Sequence, residues 1–251
     1  MSSVEALVDL SRRLGDPAMD AAVLGEGNTS IRLGEAMLVK ASGAELAFAK
    51  PEDFVSVELA AAVTLIADPD AGDDQVDALF GGIAASQGRR PSVEALLHAV
   101  IYQLTDATVI AHSHPTAVNA ILCSQHPELL VQGALFPDQI VVLGARPILV
   151  PYVDPGIRLA RTVWQLLSER IAATGQTPAV IYLQNHGMFA LGASATQVLG
   201  ITAMAQKCAR AIIGAESVGG VRFMPDDEVT RIDTRPDEVY RRALLAQEGT
   251  A

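Results

Sequence analysis

Thr108-Val109-Ile110-Ala111-His112-Ser113-His114-Pro115 is the stretch on which both fold and chemistry turn. Its first half is β-branched and apolar, as a buried strand requires, and the proline suits the first turn of a following helix. Side chains alternate faces along a strand, so His112 and His114 aim at one point while Ser113 faces away. A strand that ends on two imidazoles and runs straight into a helix is a natural place for a site.

Upstream, Ser92 followed by Val93-Glu94-Ala95-Leu96-Leu97-His98 predicts a helix capped by the serine hydroxyl and running to about residue 104. Earlier still, apolar residues at helical spacing over 4–14 predict an amphipathic helix stopped by Gly15-Asp16-Pro17. Residues 29–33 and 37–39, separated by Gly34-Glu35, predict a hairpin. A short helix is expected from Pro51, and an acidic surface loop over 68–77.

Downstream, residues 140–143 and 148–150 read as buried strands and 156–173 as a helix. Residues 180–183 and 188–191 flank Gln184-Asn185-His186-Gly187, a hairpin signature. Ser194 predicts the cap of a long helix to about residue 213, ended by Gly214, and a last helix is expected from Pro236. No repeat or composition shift divides the 251 residues, so one domain over 1–251 is expected.

Half of the residues are apolar but only 4% are aromatic, so the core must be built from aliphatic side chains. A net charge of -11 argues against a nucleic-acid partner, because a phosphate backbone needs a basic stripe. The apolar runs are too short to span a membrane, and Glu5 and Asp9 stand where a signal peptide would carry positive charge, so a cytoplasmic protein is expected. Cys123 and Cys208 form no CxxC pair and read as reduced core residues.

Two imidazoles alone do not make a catalytic metal centre. His186 is the best source of a third, since an exposed turn followed by glycine can present a ring to a neighbouring strand end. Three neutral imidazoles with one open position suit a catalytic Zn²⁺, and Mn²⁺ or Co²⁺ would tolerate the same ligands. Glu94 reads either as a favourable charge at a helix N-terminus or as an acid/base. His98, one turn on, reads as a packing or hydrogen-bonding residue, and His126 as solvent-facing.

Five blocks stand in order along the chain: Gly25-Glu26-Gly27-Asn28-Thr29-Ser30, Lys40-Ala41-Ser42-Gly43, Pro91-Ser92-Val93-Glu94, Ala111-His112-Ser113-His114-Pro115 and Asn185-His186-Gly187. In these the chain resembles the class II aldolase/adducin superfamily over almost its whole length, of the L-fuculose/L-rhamnulose-1-phosphate aldolase type. Pro151-Tyr152-Val153-Asp154-Pro155-Gly156 further resembles rhamnulose-phosphate aldolase domains that are fused to dehydrogenases.

The resemblance implies a three-layer α/β/α fold with a central, mostly antiparallel sheet. It also implies a homotetramer with active sites at subunit interfaces. It puts His112, His114 and His186 on zinc and makes Glu94 the acid/base at the metal. The reaction implied is cleavage of a ketose 1-phosphate to dihydroxyacetone phosphate and an aldehyde through an enediolate that the metal stabilises. Asn28, Lys40, Ser42, Gly43 and Ser92 occupy the family's phosphate-binding positions, where turn amides and a helix N-terminus can bind an anion without a basic patch.

The chain departs from that pattern at the tyrosine that fuculose-phosphate aldolases use as proton donor, having Phe136-Pro137-Asp138-Gln139-Ile140-Val141-Val142 in the region. Asp138, Tyr152 and Tyr240 are the substitutes available. The phosphate loop is also one hydroxyl short, with Ser92-Val93 in place of a serine pair. Alternatives in the superfamily are a pentulose-5-phosphate 4-epimerase, against which the glutamate at 94 argues, and a 3-oxo sugar-acid phosphate decarboxylase. A methylthioribulose-phosphate dehydratase fits less well, because its motif before the histidine pair lacks this glutamate. A non-catalytic, adducin-like association domain is opposed by the presence of all three histidines.

Overall fold

The computed structural model describes residues 2–144 and 146–247. Seven strands form one mixed sheet in the order β3-β2-β1-β4-β7-β6-β5, with helices flanking it. Of the four strand pairings with a resolved register, three are antiparallel, and β5 with β6 is parallel. The chain falls into two compact units, residues 1–111 with 153–177 and residues 112–152 with 178–251.

In the first unit, α1 (Ser3–Leu14) opens with a reciprocal cap: Glu5 N–H donates to Ser2 Oγ and Ser2 N–H to Glu5 Oε2. Its buried face, with Leu7 and Val8, packs on Ala49 and Phe54. Strands β1 (Asn28–Leu33), β2 (Ala36–Lys40) and β3 (Phe54–Glu58) form an antiparallel meander. Helices α2 (Leu59–Ala67), α3 (Asp73–Gln87) and α4 (Ala95–Leu104) follow, and β4 (Val109–Ser113) begins here.

The second unit takes the end of β4, then α5 (Thr116–Leu122), α6 (Pro137–Leu143) and β5 (Ile148–Val150). Helix α7 (Ile157–Thr174) belongs to the first unit. The chain re-enters the second with β6 (Val180–Leu183), β7 (Gly187–Gly192), α8 (Ala195–Ser217), α9 (Asp226–Thr234) and α10 (Pro236–Gln247). Ile140 of α6, Ala134 and Ile232 of α9 form a small core there.

Several sequence expectations are corrected. Residues 140–143 are helical rather than a strand, because Pro137 starts a helix in which Ile140, Val141 and Leu143 are buried. The predicted loop over 68–77 is a loop only to residue 72, where α3 begins with its acidic residues in the first turn. Ser92 is not the cap of α4; the helix starts at Ala95, with Glu94 at its cap position. Gly214 lies inside α8 rather than at its end, and Cys123 is exposed, not core. Ser194 does cap α8, its hydroxyl accepting from Gln197 N–H. No helix among the described residues is long and apolar enough to cross a membrane.

Candidate metal centre

The second unit builds a three-histidine cluster from two local structures. Alternation along the end of β4 places His112 and His114 together, with ring centroids 4.7 Å apart. The β6–β7 turn brings His186, whose ring lies 4.9 Å from that of His112 and 5.1 Å from that of His114.

That turn is held on both sides. Asn185 adopts φ +55°, a left-handed conformation that asparagine tolerates, and its N–H donates to Leu122 O. Asn119 of α5 donates Nδ2 to His186 O at 3.0 Å, and Gln184 N–H reaches Val150 O at 2.9 Å. Gly187 is needed for room and not for its dihedrals. A Cβ there would stand 2.6 Å from Ser113 O and 2.6 Å from the His114 ring.

His112 is fully buried and stacks on Phe189, with centroids 4.4 Å apart. Its Nδ1 lies 3.1 Å from Met188 O, an acceptor that requires the proton on Nδ1 and leaves the Nε2 lone pair exposed to the cluster. His114 Nε2 lies 2.9 Å from that atom, and one nitrogen of each histidine falls within 4.8 Å of the others. Two nitrogens each bound to zinc in a tetrahedral site would stand about 3.3 Å apart. Converging ring nitrogens, a fixed His112 tautomer and small spacings therefore fit a divalent ion.

The first unit holds Glu94 and the expected phosphate-binding residues, on the start of β1, the end of β2 and the segments that follow. Ala41 bridges Pro91, Ser42 N–H donates to Arg90 O, and Ser92 N–H donates to Lys40 O. Gly43 takes φ +78°, and it and Ser42 are exposed. Lys40 is almost entirely buried and donates Nζ to the carbonyls of Ala44 and Ala41, so its ammonium shapes the turn. Burial pushes that amine below the usual lysine range, while the carboxylates of Glu94, Asp53 and Glu45 pull the other way. Asn28 is 1% exposed; its Nδ2 donates to Glu94 Oε2 at 2.7 Å and to Ser92 Oγ at 3.3 Å.

Asp138 lies in the first turn of α6 and pairs with Arg241 at 2.8 Å. Tyr240 stands on α10, and both it and Tyr152 are exposed. His126 pairs with Glu128 on the surface, and His98 is a buried hydrogen-bonding residue. Sequence reasoning missed Asn119 and the Met188 carbonyl. Each acts on a histidine from at least 67 positions away, and neither residue type carries a local signal.

Comparison with known proteins found relatives over most of this chain. An uncharacterized oxidoreductase, YuxG of Bacillus subtilis, is 29% identical over 246 residues, which is 91% of this chain and 33% of that protein. A probable bifunctional methylthioribose-1-phosphate isomerase/methylthioribulose-1-phosphate dehydratase of Nocardia farcinica is 24% identical over 68% of this chain and 28% of its own length. The chain thus spans about a third of the length of the curated relatives it matches. Among solved structures, an L-fuculose 1-phosphate aldolase superposes with a TM-score of 0.69 at 18% identity, covering 93% of this chain and 96% of that one. The family described as class II aldolase and adducin N-terminal domain matches residues 5–213, and the chain belongs to that family.

Proposed function

We propose that the chain is a zinc-dependent aldolase that reversibly cleaves a ketose 1-phosphate to dihydroxyacetone phosphate and an aldehyde. The observation that carries this reading is the three-imidazole cluster, in which the Met188 carbonyl holds His112 with Nε2 turned toward the other rings. An ion held by His112, His114 and His186 supplies Lewis-acid stabilisation of the negative charge that develops on the ketone fragment.

Glu94 is the proposed acid/base. Asn28 donates to one carboxylate oxygen, which fixes the group's orientation. The exposed hydroxyl of Ser42, the Gly43 turn amide and the hydroxyl of Ser92 are the proposed phosphate donors, with Lys40 holding the turn. Asn28, whose side-chain amide is engaged by protein groups, serves the site by orienting Glu94. Asp138, which pairs with Arg241 at 2.8 Å, and Tyr240 are the proposed proton donors in place of a family tyrosine. The proposed assembly is a cytoplasmic homotetramer.

The missing tyrosine supports a second reading, pentulose-5-phosphate 4-epimerisation or 3-oxo sugar-acid phosphate decarboxylation by the same site. The zinc-loaded protein incubated with ketose 1-phosphates and pentulose 5-phosphates separates these. Release of dihydroxyacetone phosphate without epimer is the expected result; an epimer without cleavage, or silence on both, overturns the aldolase. Glu94→Gln is expected to keep its zinc and lose about 10²- to 10⁴-fold in turnover.

A further inference from the structure

A line of buried polar side chains runs through the first unit and ends on Glu94. The Tyr102 hydroxyl lies 2.7 Å from Ser30 Oγ, and Ser30 Oγ lies 2.6 Å from His98 Nδ1. His98 Nε2 hydrogen-bonds Asn28 Oδ1, and Asn28 Nδ2 lies 2.7 Å from Glu94 Oε2. Ser30 and His98 are fully buried, and Asn28 and Tyr102 are each 1% exposed. The expected phosphate chemistry uses neither His98 nor Tyr102.

With His98 neutral, hydrogen-bond polarity sets the direction of every link. A carboxylate accepts only, so the end of the Asn28 amide facing Glu94 is the NH₂ and the end facing His98 is the oxygen. An oxygen there requires the proton on His98 Nε2. In the neutral ring Nδ1 then accepts, Ser30 donates to it, and Tyr102 donates to Ser30. An imidazolium would instead make Nδ1 a donor to Ser30 and turn the Ser30 hydroxyl toward Tyr102, whose proton would then go to Thr108 O at 3.4 Å, a longer bond than any link of the line. Burial holds the Tyr102 phenol far above the usual tyrosine range, so it stays a donor. All the donors point toward the negative charge, an arrangement in which successive bonds strengthen one another.

We infer that His98 is a positioning residue that, through the Asn28 amide, sets the orientation of the Glu94 carboxylate. The inference rests on the proposed role of Glu94 as acid/base. Without the His98 donor, the amide can turn its oxygen toward the carboxylate, which repels it, and Glu94 loses a fixed direction. The side-chain amide that His98→Gln introduces can still donate from the position of Nε2, whereas the aliphatic side chain of His98→Leu has nothing to donate.

The test uses the zinc-loaded chain with the substrate that the wild type turns over. His98→Leu is expected to bind zinc like the wild type and to lose about 10- to 100-fold in kcat, with KM within about threefold. His98→Gln is expected to recover most of that kcat. Equal losses in the two variants, or a loss confined to KM, overturn the inference. Nitrogen NMR of the wild type should show His98 as the neutral ring protonated on Nε2. In His98→Leu the carboxyl carbon of Glu94 and the side-chain amide of Asn28 should both shift. A proton on Nδ1 alone, or unmoved signals, sinks the proposal. These spectra decide it even where no sugar phosphate is turned over, the result that would instead remove the proposed function.

Discussion

The two units put the same residue to opposite uses. In the second, His112 gives Nδ1 to a backbone carbonyl and turns Nε2 toward the ring nitrogen of His114. In the first, His98 gives both ring nitrogens to side chains, Ser30 and Asn28, so its bonding is consumed inside the protein. Burial does not separate them, since both are 0% exposed. What a histidine can do is decided by the partner of its other nitrogen.

The sharpest way to break that contrast is to remove one ring from each unit. His186→Ala leaves two imidazoles where three converge, and zinc affinity, measured by competition with a chromophoric chelator, is expected to fall more than about 100-fold, the upper range for losing a mere supporting partner. His98→Leu is expected to leave it unchanged. Equal zinc loss from both would erase the distinction.

How far the sequence revealed these two places follows from the same difference. His112 lies in β4 and His114 one residue past its end, so alternation carried through the strand end brings them together, and His186 was legible because Asn185 and Gly187 mark a turn. The line from Tyr102 to Glu94 was not legible. Asn28 and Ser30 meet Glu94 and α4 across 66 to 72 positions, and serine, asparagine and tyrosine are too common to single out such a meeting. The run at 140–143 misled for a related reason: a short, wholly apolar run carries no period that separates helix from strand.

A pair of glycines sharpens the comparison at a smaller scale. Gly43 in the first unit has φ +78° and open space where a Cβ would go, while Gly187 in the second has no positive φ but no room. Gly187→Ala must push the Ser113 backbone or the His114 ring, so it is expected to cost about 1–3 kcal/mol and to weaken zinc binding. Gly43→Ala meets only backbone strain, about 1–2 kcal/mol, with zinc binding untouched. Urea unfolding together with the chelator titration reads both. Zinc affinity preserved in Gly187→Ala would show that the ligands tolerate the displacement.

The smallest expected effect concerns titration in the second unit. Burial pushes the Cys208 thiol from its ordinary value of 9 up to about 12, with the nearby Lys207 pulling the other way. Between those values the unfolded chain has released a proton that the folded chain still holds. Stability therefore falls as pH rises through the window and is untouched below it. At pH 10 the loss from this one group is at most about 1.4 kcal/mol. Tyr182, also raised by burial, and Tyr102 in the first unit add further losses only above their ordinary value of 10. Urea unfolding of wild type and Cys208→Ala at pH 8 and pH 10 isolates the thiol. The variant should lose less stability between the two pH values, and parallel losses would mean that the thiol titrates in the fold as it does in the open chain.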